Sequence, residues 1–348
     1  MKKKLLMAAV GAALVAGPTV AVHAATTLYG HMHMSYDRMD NDNNQENGIL
    51  ANNSSRFGIK GSEDVGGGLK AIYQVESGTF QADDGSGGFG ATLRNTFVGF
   101  SGGWGTVKIG RHDTPMKEVG RKLDDFNEQF GDARTLIGNA GAFDLRVSNM
   151  IRYDTPKFGG GFTASIMQTS NNGSNDNLGN TNNKVNSLNA QYSSGPIWAG
   201  LAWEEQGVTG SNDNPTNIRL SGSYTFNDIE LGLLWDMMSD LGGVAGADRD
   251  ALGLFASYKM GNNKLKFNYI KLDELDNTPN TGADMIAIGV NHSLSKTVTL
   301  YANYAATSND NLAANGVVSG AAGHDSNVLA PALGKDYTGY SLGTIIKF

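Results

Sequence analysis

The chain has 348 residues and no cysteine, which excludes disulfide scaffolds and thiolate metal sites and leaves room for one large β-domain or two ordinary ones. Its 47 glycines against 7 prolines suit many tight turns between strands whose ladders tolerate no proline. The net charge of -7 argues against nucleic acid as a partner, because phosphate binding needs clustered positive charge.

Residues 1–24 read as a secretory signal. Lys2, Lys3 and Lys4 form a basic start, Leu5 to Val15 an apolar stretch, and Val22-His23-Ala24 a small-x-Ala cleavage site. Over residues 25–348, Lys+Arg falls from 27 to 24 against the same 34 Asp+Glu, so the net charge goes from -7 to -10. Beyond the signal there is no run of 18 apolar residues, so any membrane span must be β.

From Thr27 onward one unit repeats: about ten residues of period-2 alternation, then a turn. This predicts strands over 27–39, 53–62, 69–80, 94–101, 105–112, 147–156, 161–170, 186–194, 196–205, 216–226, 229–239, 250–260, 264–273, 285–294, 297–308 and 336–348, sixteen in all. Short connections (63–68, Gly102-Gly103, Asn227-Asp228, Asn262-Asn263, Ser295-Lys296) alternate with long polar ones (40–52, 171–184, 309–335). Short turns on one rim and long loops on the other describe a barrel.

Side-chain parity points to a wet interior. Arg56, Gly58 and Lys60 oppose Phe57, Ile59 and Gly61; Ser148, Arg152 and Asp154 oppose Asn149, Ile151 and Tyr153; Lys264, Lys266, Asn268 and Ile270 oppose Leu265, Phe267 and Tyr269. Unpaired ions in a dry sandwich core would cost several kcal/mol each, which a water-filled lumen avoids. In lipid the sheet has to close on itself to satisfy its edges. Aromatic residues near strand ends (Tyr29, Tyr153, Trp198, Trp203, Tyr224, Trp235 and Tyr340) are expected to form interfacial girdles.

Several stretches together resemble the trimeric general porins of proteobacteria. They are Thr27-Leu28-Tyr29-Gly30, Ser55 to Asp64 followed by Gly66 to Gln74, Val98-Gly99-Phe100 running into Trp104 to Arg111, Asn149 to Pro156, Gly161-Phe162, and Phe348. The resemblance implies an all-β, 16-stranded antiparallel transmembrane barrel, a homotrimer in outer-membrane lipid and lipopolysaccharide, and passive diffusion of ions and small hydrophilic solutes. It also implies that the third long loop folds into the pore and that Phe348 is read by the outer-membrane assembly machinery.

That third loop spans about 112–146. Val119, Leu123, Phe126 and Phe130 recur at helical spacing, which predicts an amphipathic helix docked on the inner wall. Lys117, Arg121, Asp124 and Glu128, with Asp125 beside them, fall on the other face and are expected to meet water. Wall cations of lumen parity (Arg56, Lys60, Lys70, Arg94 and Arg152) would face them across a transverse field, and Arg38 is a further candidate to line the pore. Arg111 shares parity with Val107 and Ile109 and joins them only if Gly110 carries a bulge or the strand ends there.

Other motifs read more plainly. Gly85 to Gly90 satisfies G-x-G-x-x-G without a βαβ setting and is taken as an outer loop. Asp40 to Asn44 resembles the opening of a calcium loop but has Gln45 where glycine belongs, so Ca²⁺ in an outer loop is a weak expectation and no other cofactor is expected. His31 and His33 share a strand face without an evident third ligand and read as polar wall residues rather than a metal site. No catalytic spacing is present. A substrate-selective porin, or an adhesin acting through loop 309–335, are the alternatives to a general porin.

Overall fold

A computed structural model describes residues 25–41, 44–78, 92–138, 143–169, 184–208, 211–319, 324 and 329–348. The signal segment 1–24, the Gly85 to Gly90 motif, Asp42-Asn43 and most of loop 171–184 lie outside the described residues. The strands are β1 (Ala25–Asn41), β2 (Asn44–Asn52), β3 (Arg56–Gly66), β4 (Leu69–Ser77), β5 (Thr96–Gly102), β6 (Gly105–Asp113), β7 (Arg146–Asp154), β8 (Phe162–Thr169) and β9 (Val185–Ser194). They continue as β10 (Ile197–Gln206), β11 (Thr216–Phe226), β12 (Ile229–Ser239), β13 (Arg249–Met260), β14 (Asn263–Leu272), β15 (Ala283–Ser293), β16 (Val298–Asn309) and β17 (Tyr337–Lys347).

Apart from β2 and β3, consecutive strands pair antiparallel, and β1 closes on β17 from His31↔Lys347 to Asp40↔Thr338. The first half of β1 pairs with β3 and its second half with β2. Those two are therefore halves of one stave, broken at 53–55 where Ser54 takes φ 54°, and the barrel has sixteen staves. The expectation of a long loop over 40–52 is corrected, because 44–52 continues the ladder. Asn41 of β1 pairs with Asn44 of β2. At the opposite rim, two-residue turns fit their sequences: Gly67-Gly68 takes φ 63° and 77°, as a twist-matched hairpin demands.

Burial is inverted relative to a soluble β-protein. Leu201, Leu220, Leu231, Leu233 and Leu254 face outward and are exposed, whereas Asn189, Glu204, Asn217, Arg219, Asp236 and Asn268 face inward and are buried. Leaving those leucines in water would forgo about 2 kcal/mol per side chain, so the outer wall belongs in lipid. Trp203, Tyr224, Trp235 and Tyr340 join it, as does Tyr153 by parity. Tyr29 and Trp198 do not: Tyr29 donates to Glu76 inside the barrel, and Trp198 is buried against the inner apolar cluster. Their strand ends are girdle positions, but their parity turns them inward.

The apolar core sits inside the barrel, under the segment that joins β6 to β7. Thr114 caps a short helix, α1 (Pro115–Arg121), by accepting from Lys117 N. Met116, Val119, Leu123, Leu136, Ile137 and Phe143 pack on Trp198, Leu234, Phe255, Ile270 and Met285. Phe126 and Phe130 pack on Met39, Ala287, Ala305, Val317, Val318 and Tyr337. The predicted stripe is thus buried, but no single helix carries it. Asp124 Oδ1 accepts from Phe126 N, and Asn127 Nδ2 donates to the carbonyls of Arg121 and Asp124, local bonds that compete with the helical ladder. Part of the described stretch after β16 is also enclosed: Ala313, Asn315, Val317, Val318 and His324 are buried, which removes these residues from the exposed surface that an adhesin reading needs.

Candidate functional site

Glu128 lies at the centre of a charged network between the inward loop and the β1–β3 wall. Arg56 Nη2 donates to both its carboxylate oxygens, at 2.8 and 2.7 Å. Arg94 Nη2 and Arg121 Nη2 lie 3.7 and 3.6 Å from Oε1. Burial pushes the Glu128 carboxyl up, and the guanidiniums of Arg56, Arg94 and Arg121 outweigh it, holding the group well below the usual carboxylate range. Arg94 Nε also holds Glu76 at 2.8 Å, and Tyr29 donates to the other Glu76 oxygen. Asp113 extends the network to Arg146 (3.1 Å), Lys117 (3.4 Å) and Arg121 (4.0 Å). Among the described residues this connected group holds five cations, Arg56, Arg94, Arg121, Arg146 and Lys117, against three carboxylates, Glu76, Asp113 and Glu128. A cleft of about 270 Å³ opens on it, lined by Tyr29, His31, Arg56, Arg94, Arg121 and Lys347 among others.

The expected residues divide by position. Arg56 and Arg94 meet the loop as anticipated; Lys60 lies further down the same face, its ammonium 4.9 Å from the Tyr29 ring centre. Lys70 stands opposite Asp64 in the β3–β4 ladder, next to the Gly67-Gly68 turn, so it belongs to the rim and not to the Glu128 network. Arg152 forms a second cluster with Glu118 (2.6 Å) and Asp154 (2.7 Å), and Lys108 reaches Asp154 at 3.0 Å. Arg38 is a correction: it shares parity with exposed Tyr36, pairs across to exposed Tyr340, and points outward. The pairing of β6 with β7 does shift between Gly110 and His112, and Arg111 bonds Leu93 O and Ser148 Oγ.

The solvated charged face expected of the loop is corrected: Lys117, Asp124 and Glu128 are buried. Burial and neighbouring Asp132 raise the Asp124 carboxyl to about 7, while it accepts from Phe126 N, Ala133 N and Asn268 Nδ2 at 2.7 to 2.8 Å. Asp124 is therefore an anchor of the loop. Asp125 pairs with Lys264 at 2.6 Å. On the far wall, Arg219 holds Asp236 at 2.7 Å, Asp144 at 3.0 Å and the Met116 carbonyl at 3.2 Å, clamping the root of α1.

Sequence reasoning missed Glu76, Asp113, Arg146 and Arg219. The parity of Lys70, Gln74 and Glu76 already marked Glu76 as inward; the other three gain their roles only from the folded loop. His31 and His33 do find a third group, Glu128, with ligand atoms within 4.8 Å of one another. A divalent ion there would meet repulsion of roughly 7 kcal/mol from each guanidinium ~5 Å away at an effective dielectric of ~20. Arg56, Arg94 and Arg121 already surround that carboxylate, so the set does not suit a metal.

A profile described as Gram-negative porin matches residues 8–312. Outer membrane porin protein 32 of Delftia acidovorans is 32% identical over 343 residues, covering 92% of this chain and 95% of that protein. The anion-selective porin from Comamonas acidovorans superposes with a TM-score of 0.76 at 25% identity, covering 94% of this chain and 100% of that one. The trimer form of OmpT from Vibrio cholerae superposes with a TM-score of 0.69 at 16% identity, covering 93% and 99%.

Proposed function

The chain belongs to the Gram-negative porin family, an outer-membrane channel for the diffusion of solutes, and on that premise we propose that it prefers anions and that the Glu128 network is its constriction. The observation that carries this is the charge count of the network: five cations against three carboxylates in one connected group. The net charge of -10 outside the signal segment would favour cations in the wide vestibules, but the narrowest, least screened point dominates selection. The solved anion-selective relative supports the same reading. Arg56, Arg94 and Arg121 would act directly on the passing ion, with Lys60 and Arg152 as further cations of the lumen. We further propose that the chain works as a homotrimer in lipopolysaccharide-containing lipid, is delivered by the outer-membrane assembly machinery through its Phe348 strand, and performs no catalysis.

The test is the reversal potential of the purified trimer in a KCl gradient, for the parent and for Arg94→Ala. The parent should reverse on the anion side and the variant should move toward cation preference. A cation-selective parent, or an unmoved variant, would overturn the assignment.

A further inference from the structure

We infer that the inward loop after β16 is a specificity-positioning element: through Val317 it clamps the turn that presents Glu128 to the three guanidiniums, and so sets how much positive charge a solute meets. The inference rests on the proposal that the Glu128 network is the constriction.

Three observations carry it. Glu128 sits in the left-handed region at φ 63°, a backbone state that a non-glycine residue keeps only when its surroundings over-determine it. Its own N–H donates to Asp132 Oδ2 at 2.8 Å, and the turn is pinned just beyond, where Gly131 N donates to Val317 O at 3.0 Å. The pin is itself rigid. A Cβ at Gly339 on β17 would stand 2.5 Å from the Phe130 ring and 2.9 Å from Val317 Cγ2, so wall, turn and loop interlock without space between them. Thr307 Oγ1 on β16 donates to Gly316 O at 2.8 Å, and His324 lies 2.9 Å from Asp37 on β1 with its ring 5.3 Å from that of Phe130.

The effect of this loop on Arg56, Arg94 and Arg121 runs through the Glu128 backbone. Loosening the clamp lets the turn relax out of the left-handed region and withdraw the carboxylate. The guanidiniums then keep their charge but lose their internal counter-ion, and anion preference rises.

Planar-bilayer recordings of heat-resistant trimers test this with Glu128→Gln and with the double variant Val317→Ala, Val318→Ala. Glu128→Gln should raise the anion-to-cation permeability ratio by about two-fold or more, and the double variant should move the same way by a smaller factor with added open-channel noise. Phe130→Leu, which keeps the apolar contact, should stay near the parent. An unmoved Glu128→Gln would overturn the constriction reading itself. A shifted Glu128→Gln beside a quiet, unshifted double variant would overturn the clamp alone. Should the double variant yield no trimers, Val317→Ala alone is read by the same criterion.

Discussion

The ring of Phe348 rests on the backbone of Gly30 at the seam where β17 closes on β1. The two residues exchange backbone hydrogen bonds of 3.0 and 3.1 Å, and a Cβ at Gly30 would come 2.7 Å from the ring and closer still to the Arg56 carbonyl. Gly30→Ala therefore forces apart both the seam and the stave that carries Arg56. Overpacking of this kind costs about 1–3 kcal/mol, and more where backbone must move. Heat-resistant trimers should form in clearly lower yield than for a neighbouring outward change such as Leu28→Ala. Equal yields on gels run with and without heating would count against the seam being tight.

Arg219 is the buried cation that two carboxylates of different elements share, Asp144 from the inward loop and Asp236 from β12. Burial pushes the Asp144 carboxyl up and Arg219 outweighs it, holding it below its ordinary range. Arg219→Met keeps the volume but leaves both carboxylates uncompensated, which should destabilise by about 3–5 kcal/mol. Thermal unfolding in detergent measures it; a melting point equal to the parent's would mean that the loop is held without this clamp.

How much of this was legible in the sequence depends on which distances matter. Period-2 alternation fixes the side of the sheet, so Arg56, Lys60 and Arg152 are correctly inward, and the sixteen staves follow from parity and turn spacing. Parity does not fix height along the axis, which is why Lys70 reads as a constriction residue but sits at the turn rim. Nor does it forgive a slip of one: Arg38 lies between inward Asp37 and inward Met39 and faces out. The loop was half legible. Its apolar stripe correctly foretells docking, but the burial of Asp124 depends on Asn268, and the clamp on Gly131 depends on Val317. Such partners, far away in sequence, leave no local periodic trace.

Asp124 gives the loop anchorage a pH dependence of known sign. Burial, then Asp132, raises its carboxyl from 3.8 to about 7. A group raised in the folded state contributes stability that is full below its unfolded value and is lost as pH rises through the folded value, so the window runs from about pH 4 to pH 7. The melting temperature of the parent should fall relative to that of Asp124→Asn as pH goes from 5 to 7.5. Parallel curves for the two proteins would show that Asp124 titrates elsewhere.

Arg38 and Lys70 supply the controls that separate a local constriction from a general effect of positive charge. Lys70 and the Arg94 partner Glu76 lie six residues apart on β4, about 20 Å at ~3.3 Å per residue. The screening length is about 3 Å in 1 M salt and about 30 Å at 0.01 M. Arg38→Ala, on the lipid side, should leave the reversal potential unmoved at either salt. Lys70→Ala should be silent at 1 M KCl and show a small cation-ward shift only at the lowest salt. Arg56→Ala removes a charge at the Glu128 carboxylate itself and should shift the potential at both, because no ionic atmosphere fits between a permeating ion and a guanidinium it must touch. If all three variants shifted alike at high salt, selectivity would arise from the summed charge of the barrel and not from its narrow point.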